Sequence, residues 1–207
     1  MAEPESEQTA DERSENEQTA DERAERDARR RYVLLNLRQY PDPVLRMQTR
    51  EVTEFDAALA TLVERMILVM QGASGVGLAA PQVGVLQRVL VHQSDENADP
   101  VALVNARIVA RSDETDVVEE GCLSLDAAGL TVDIERPTAV TVEARTPEGA
   151  EVRIDAEGLA ARVIQHEVDH LDGVLILDRT TAEQRRSALA QLRPRPVLGP
   201  LQPTPSR

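Results

Sequence analysis

Gln165-His166-Glu167-Val168-Asp169-His170 is the stretch on which the reading of this chain turns. On an α-helix of about 3.6 residues per turn the two histidines stand at i and i+4, so both imidazoles leave one face a turn apart and can grip a single metal ion. Glu167 points about a third of a turn away from the first of them. It can reach a water beside the ion without being a ligand, which makes it a base next to an activated nucleophile. His-Glu-x-x-His also arises by chance on solvated helices. The setting here favours a site: residues 155–171 read as a mostly apolar helix, with Leu159, Val163 and Ile164 on the buried side and Gly173 as the stop. A histidine pair on a buried helix has to bind something or be neutralised by hydrogen bonds.

Upstream, Glu119-Glu120-Gly121-Cys122-Leu123-Ser124 holds the only cysteine. Its thiolate, added to His166 and His170, gives three ligands and leaves a fourth tetrahedral position for water, the arrangement of a catalytic site. Gly121 lets a strand bend there, the Leu123 amide faces the space between the ligands, and Glu120 braces them by hydrogen bonds. The plainer reading makes Cys122 a small buried hydrophobe. Earlier still, Gly75-Val76-Gly77-Leu78-Ala79-Ala80-Pro81-Gln82 leaves the backbone around Val76 open, so that an extended ligand can pair with it as an added strand. Gln82 can then offer its side-chain NH₂ to a developing oxyanion. This is no nucleotide loop, because Gly-x-Gly-x-x-Gly and a P-loop Lys-Ser/Thr are both missing. A tight glycine turn in a sheet is the alternative. His92, at a strand end, reads as structural and stays outside the site.

The 207 residues suit one domain, expected over 32–179, with an acidic arm over 1–31 and a C-terminal helix and Pro-rich end over 180–207. The arm repeats Glu-Gln-Thr-Ala-Asp-Glu-Arg at positions 7–13 and 17–23 and has no apolar face, so disorder is expected there. Aromatics make up 1%, hence an aliphatic core. With no apolar run near the roughly 18 residues that cross a bilayer and a charged beginning, a soluble cytoplasmic protein without membrane contact is expected. The net charge of -14 argues against DNA. Strands are expected over 32–37, 87–91, 101–110, 132–144, 151–154 and 174–177. The turn Thr146-Pro147-Glu148-Gly149 joins the fourth to the fifth. One helix runs from a Thr53 cap to Met70, and another from a Thr180–Glu183 capping box to Leu192.

In this order and spacing the three motifs closely resemble those of peptide deformylase. The likeness spans residues 32–179, including Tyr40-Pro41-Asp42-Pro43-Val44-Leu45-Arg46 and Leu171-Asp172-Gly173-Val174-Leu175-Ile176-Leu177-Asp178-Arg179. It implies a hydrolase that removes the formyl group from the N-terminal methionine of new peptides with one Fe²⁺; Zn²⁺, Ni²⁺ or Co²⁺ can occupy the site in purified protein. The fold expected is α+β, with antiparallel sheets packed around the metal-binding helix. Cys122, His166 and His170 would be the ligands, Glu167 the base and later the acid, and Gln82 and the Leu123 amide the oxyanion donors. Gly75, Val76 and Gly77 would pair with the peptide, and the methionine would enter an apolar pocket beside Val76. Glu120 and the aliphatic stem of Arg162 belong to that substrate-binding group. The chain departs from the family at Leu125-Asp126-Ala127-Ala128-Gly129-Leu130, where a Val-Pro-Gly-like turn and an arginine are usual, so efficiency or preference is expected to differ. Two rivals stand: a zinc endopeptidase with Glu183 as third ligand, and a non-catalytic relative that binds N-formyl peptides or the ribosome. Arg185, Arg186, Arg193 and Arg195 suggest contact with ribosomal RNA, a solvated helix being the alternative.

Overall fold

The computed structural model describes residues 28, 30, 32–95, 97–125 and 129–192. The sequence repeat of the acidic arm, the Pro-rich end with Arg193 and Arg195, and positions 126–128 of the divergent loop lie outside these residues. The strands are β1 (Gly77–Ala79), β2 (Val89–His92), β3 (Val101–Arg111), β4 (Thr115–Gly121), β5 (Thr131–Pro137), β6 (Ala139–Arg145) and β7 (Glu151–Glu157). The helices are α1 (Ala57–Gly72), α2 (Gly158–Leu171), α3 (Ile176–Arg179) and α4 (Ala182–Gln191). One antiparallel sheet runs β1-β2-β3-β6-β7, and β4 and β5 pair in a second.

Burial explains why β2 reads as an unbroken apolar run. Val89 and Val91 face α1, where Leu59, Val63, Met66 and Met70 form a helical stripe. Leu90 faces the other way, onto Ala161, Ile164, Val168 and Leu171 of α2. A strand covered on both faces has no polar alternation to show. The β4–β5 sheet closes over the opposite side of α2, its own apolar face packing on Ile176, Leu177 and Ala188 of α3 and α4. The central helix is thus held between two antiparallel sheets, as expected, and the core clusters are aliphatic apart from methionine, Cys122 and half-buried Phe55 and Tyr40.

Several boundaries differ from the sequence reading. Residues 155–157 complete β7, and Gly158, at φ 55°, turns the chain into α2 while its N–H donates to Thr138 O. Leu159 is consequently a first-turn residue, 54% exposed rather than buried. Residues 32–34 are helical, with Leu34 and Leu37 packed on the α1 cluster. The stretch 132–144 is two strands broken at Thr138, because β5 pairs with β4 and β6 with β3 and β7. Asp56, not Thr53, caps α1, accepting from Ala58 N and Leu59 N at 3.0 Å. Thr181 caps α4 in place of Thr180, and the expected strand over 174–177 gives way to α3. The turn after β6 is as read, closed by Thr146 N–H to Ala150 O.

Candidate metal centre and active site

Helix α2 aims His166 and His170 at the point where β4 ends and the chain turns at Cys122. Cys122 Sγ lies 3.2 Å from His170 Nε2, and the ligand atoms of Cys122, His166 and His170 all fall within 4.8 Å of one another. Sulfur and nitrogen ligands at about 2.3 and 2.1 Å from one tetrahedral ion sit roughly 3.6 Å apart, so the donor set fits a metal. The turn that presents Cys122 is closed by Leu125 N–H to Cys122 O at 2.8 Å.

His166 Nδ1 meets Glu120 Oε2 at 3.0 Å, which leaves its Nε2 for the ion. Glu120 is itself gripped by both arms of Arg136, at 2.7 and 3.0 Å, and by Arg162 Nη1 at 2.6 Å. Burial pushes the Glu120 carboxyl up, yet the hydrogen bonds from His166 and Arg136 and the Arg136 charge outweigh it and hold the group at about 2. Burial lowers both imidazoles. For His166, hydrogen bonds to Cys122 and Glu120 and the Glu167 charge reverse that and raise it well above the usual range. His170, with the His166 and Arg136 charges adding to burial, is driven well below. A metal ion bound at these nitrogens competes with protons for them.

Glu167 is buried, and burial pushes its carboxyl up to about 7, against the pull of His166 and Arg136. Its place depends on Gly77. A β-carbon there would lie 2.4 Å from Glu167 Oε1 and 2.8 Å from Val163 Cγ1. Gly75 is likewise crowded, by Leu123 Cδ1 at 2.8 Å. The two glycines make room for site side chains, a reason the sequence reading did not give. Glu167 Oε2 has no hydrogen-bond partner among the described residues.

Gln82 sits in the 3₁₀ turn Ala80–Val83, where its Oε1 accepts from Ala79 N–H at 2.8 Å. That bond fixes the amide and sends Nε2 toward Ser124 Oγ at 3.2 Å and Cys122 Sγ at 3.9 Å. Around the same turn Gln39 Nε2 donates to Leu123 O and Tyr40 N–H to Ser124 O, which tie this turn to the segment before the first 3₁₀ turn. Strand β1 ends its sheet, and Val76 O is taken by Gln93 N–H at 2.9 Å. By strand alternation the Gly77 N–H and C=O point to the free edge.

Arg162 is more deeply engaged than its sequence suggested. Its guanidinium donates to Glu120, Ile134 O, Asp116 O and the Asp116 carboxylate. Arg136 and Asp169 were missed by sequence reading, although each left a signal: Val132, Ile134 and Arg136 alternate onto one strand face, and Asp169 follows His166 by three on the helix. Glu183 is exposed on α4 and takes no part in the cluster. His92 is buried, with Nδ1 3.2 Å from Ser94 Oγ, outside the site.

This geometry defines a metal-dependent hydrolase. A profile described as polypeptide deformylase matches residues 34–186, and the chain belongs to that family. It is 47% identical over 152 residues to the peptide deformylase of Thermotoga neapolitana, covering 73% of this chain and 90% of that protein. It is 47% identical over 148 residues to that of Clostridium botulinum, covering 72% and 97%. The crystal structure of peptide deformylase from Thermotoga maritima superposes with a TM-score of 0.67 at 47% identity, over 70% of this chain and 96% of that one. Arabidopsis thaliana peptide deformylase 1B, solved with an inhibitor, gives 0.72 at 36% identity, over 75% and 87%. The endopeptidase alternative falls with these matches. No helix among the described residues is long and apolar enough to cross a membrane.

Proposed function

We propose that this chain, a metal-dependent deformylase of nascent peptides, holds its ion with Cys122, His166 and His170 and does its proton transfers through Glu167. The observation that carries the reading is the convergence of a lone thiol on two helix-borne imidazoles, with a buried carboxyl beside them kept in place by a glycine. When bound, the ion acidifies water and polarises the formyl oxygen. Glu167, its carboxyl near neutrality, takes the proton of the attacking water and returns it to the departing amine. The Gln82 Nε2 and the Leu123 N–H donate to the tetrahedral oxyanion. Glu120 keeps the His166 tautomer fixed from behind.

The peptide adds to the free edge of β1 along Gly75, Val76 and Gly77, as an extended strand. Val76 at 48% exposed, Val118 at 42% and Leu159 at 54% supply apolar surface for the methionine side chain. The Arg162 stem, below its tethered guanidinium, and Glu120 line the α2 side of that surface. The resident ion in this reading is Fe²⁺; a thiolate and two imidazoles also suit Zn²⁺, Ni²⁺ and Co²⁺. The setting is the cytoplasm, away from membrane and DNA, with ribosome contact through the basic face of α4. Arg185 and Arg186 support the contact, though Arg185 also pairs with Asp178 at 3.5 Å.

The test is formate release from a formyl-methionyl peptide by anaerobically prepared protein, with metal content measured on the same sample. Turnover is expected with about one ion per chain, and its loss in Glu167→Gln and Cys122→Ala. Turnover surviving Glu167→Gln, or none at any metal loading, would overturn the reading.

A further inference from the structure

Glu120 does not end the chain of charges behind His166. Arg136, which holds Glu120 with two of its nitrogens, uses the third, Nη1, on Asp169 Oδ2 at 2.9 Å. Asp169 in turn takes Arg179 Nη2 on Oδ1 at 2.6 Å and Nε on Oδ2 at 3.2 Å. Burial changes abruptly along this path. The side chains of Glu120 and Arg136 are 6% and 5% exposed and that of Asp169 is 11%, whereas Arg179 is 50% exposed. Arg179 also borders a cavity of about 240 Å³ that reaches Arg136, Gln165, Val168 and Asp169, round the helix from the histidines.

Three carboxylates, Asp116, Glu120 and Asp169, and three guanidiniums, Arg136, Arg162 and Arg179, make this assembly neutral. Without Arg179 it carries one uncompensated negative charge at Asp169. Among the described residues Arg136 is the only other cation bonded to Asp169, and every bond it strengthens there competes with its two bonds to Glu120. Glu120 is what orients the His166 ring, so a change at the surface end is felt at a metal ligand.

We propose that Arg179 is a positioning residue for the metal centre, acting on His166 through Asp169, Arg136 and Glu120. The inference rests on the assignment of His166 as a ligand, made above. It has a consequence a purely structural tie between α3 and α2 lacks: replacing Arg179 alters the ion's ligand field, not only the stability of the fold.

The experiment uses the full chain loaded with Co²⁺, in the parent and in Arg179→Met, Arg179→Gln, Arg179→Lys and Arg153→Met. Arg153 forms a surface pair with Glu143 at 2.6 Å and serves as control. Affinity for Co²⁺ by chelator competition, the visible cobalt spectrum, and kcat and KM on a formyl-methionyl peptide are measured. Replacing a partner that directly orients a ligand weakens metal binding by about 10- to 100-fold, so one three links further out is expected to weaken it by about fivefold. Arg179→Met and Arg179→Gln should both do so, with a shifted spectrum and a lower kcat at unchanged KM. Arg179→Lys, which keeps the charge but not the paired hydrogen bonds to Asp169, should fall between the parent and the neutral variants, and Arg153→Met should match the parent. Parent-like cobalt affinity and spectrum in either neutral variant would overturn the proposal, as would Arg179→Lys as weak as Arg179→Met. A parent that binds cobalt yet releases no formate would sink the deformylase reading instead, and the cobalt comparison would still decide the role of Arg179.

Discussion

A β-carbon on Gly77 would sit 2.4 Å from Glu167 Oε1 and 2.8 Å from Val163 Cγ1, so these two buried side chains would have to shift. Gly77→Ala therefore displaces the base. Misplacing a reacting group by about 1 Å is enough to lower turnover about 100-fold, and the overpacking should destabilise the fold by about 1–3 kcal/mol. Steady-state kinetics beside a urea melt measures both, and a variant with parental kcat would show that Glu167 does not need its present position. The Glu167 carboxyl, pushed up to about 7 by burial, is partly protonated at neutral pH. A dication nearby favours its charged form, so metal binding should release protons from Glu167 as well as from the ligands. Proton release followed calorimetrically in two buffers at pH 7 should be smaller in Glu167→Gln by about half a proton per ion. These residues were legible unevenly. Type and spacing pointed to Cys122, His166 and His170, which the structure brings together, and to Glu167 and Gln82 beside them, because metal chemistry restricts what can stand there. The crowding at Gly77 was not legible, since it arises between a strand and a helix some 90 positions apart.

At the scale of elements, the helix that carries the histidines was visible because apolar positions recur on one side of it, and its start was misplaced because β7 runs into it without a polar break. Strand 132–144 was read as one for the same reason: both halves alternate, and only pairing with different neighbours reveals the break at Thr138. The β4–β5 pair explains why Glu120 and Arg136 meet: Glu120 stands opposite Val132 and Arg136 opposite Asp116, an even offset that puts both side chains on one face of the sheet, a relation no local pattern reveals. A pH dependence follows from that pair. Glu120 is held at about 2 in the folded protein against 4.5 for the free group. A depressed carboxylate stabilises the fold fully above about 4.5, and this stabilisation is lost as the pH falls from there toward about 2. Urea midpoints measured across that range should fall with acid in the parent. Glu120→Gln, which strands two buried guanidiniums, should lose about 3–5 kcal/mol at pH 7 and show a flatter acid slope. An unchanged slope would mean that Glu120 is not ionised in the folded state.

At the scale of the molecule, the proposed ligands come from two layers: Cys122 from the turn after β4, the imidazoles from α2. An ion shared between them ties the two-stranded sheet to the central helix, and those layers otherwise meet through buried charges such as Arg136 and Asp169 rather than through a large apolar contact. Chelation should therefore unfasten that side of the protein. An ion that binds only the native state at a free concentration a thousand times its dissociation constant stabilises it by about 4 kcal/mol, which for a chain of this size raises the melting temperature by about 10 °C. Protein stripped by chelator should melt lower by that margin and recover when Fe²⁺, Co²⁺ or Zn²⁺ is restored. Cys122→Ser, which keeps the turn but removes the thiolate, should melt near the stripped protein whether or not metal is added. Hydrogen exchange locates the effect: β4, β5 and the C-terminal half of α2 should lose protection on stripping, while β2 and α1, which packs on the other face of the large sheet, keep theirs. Uniform loss across both sheets would mean that the ion supports the whole fold rather than joining two of its layers.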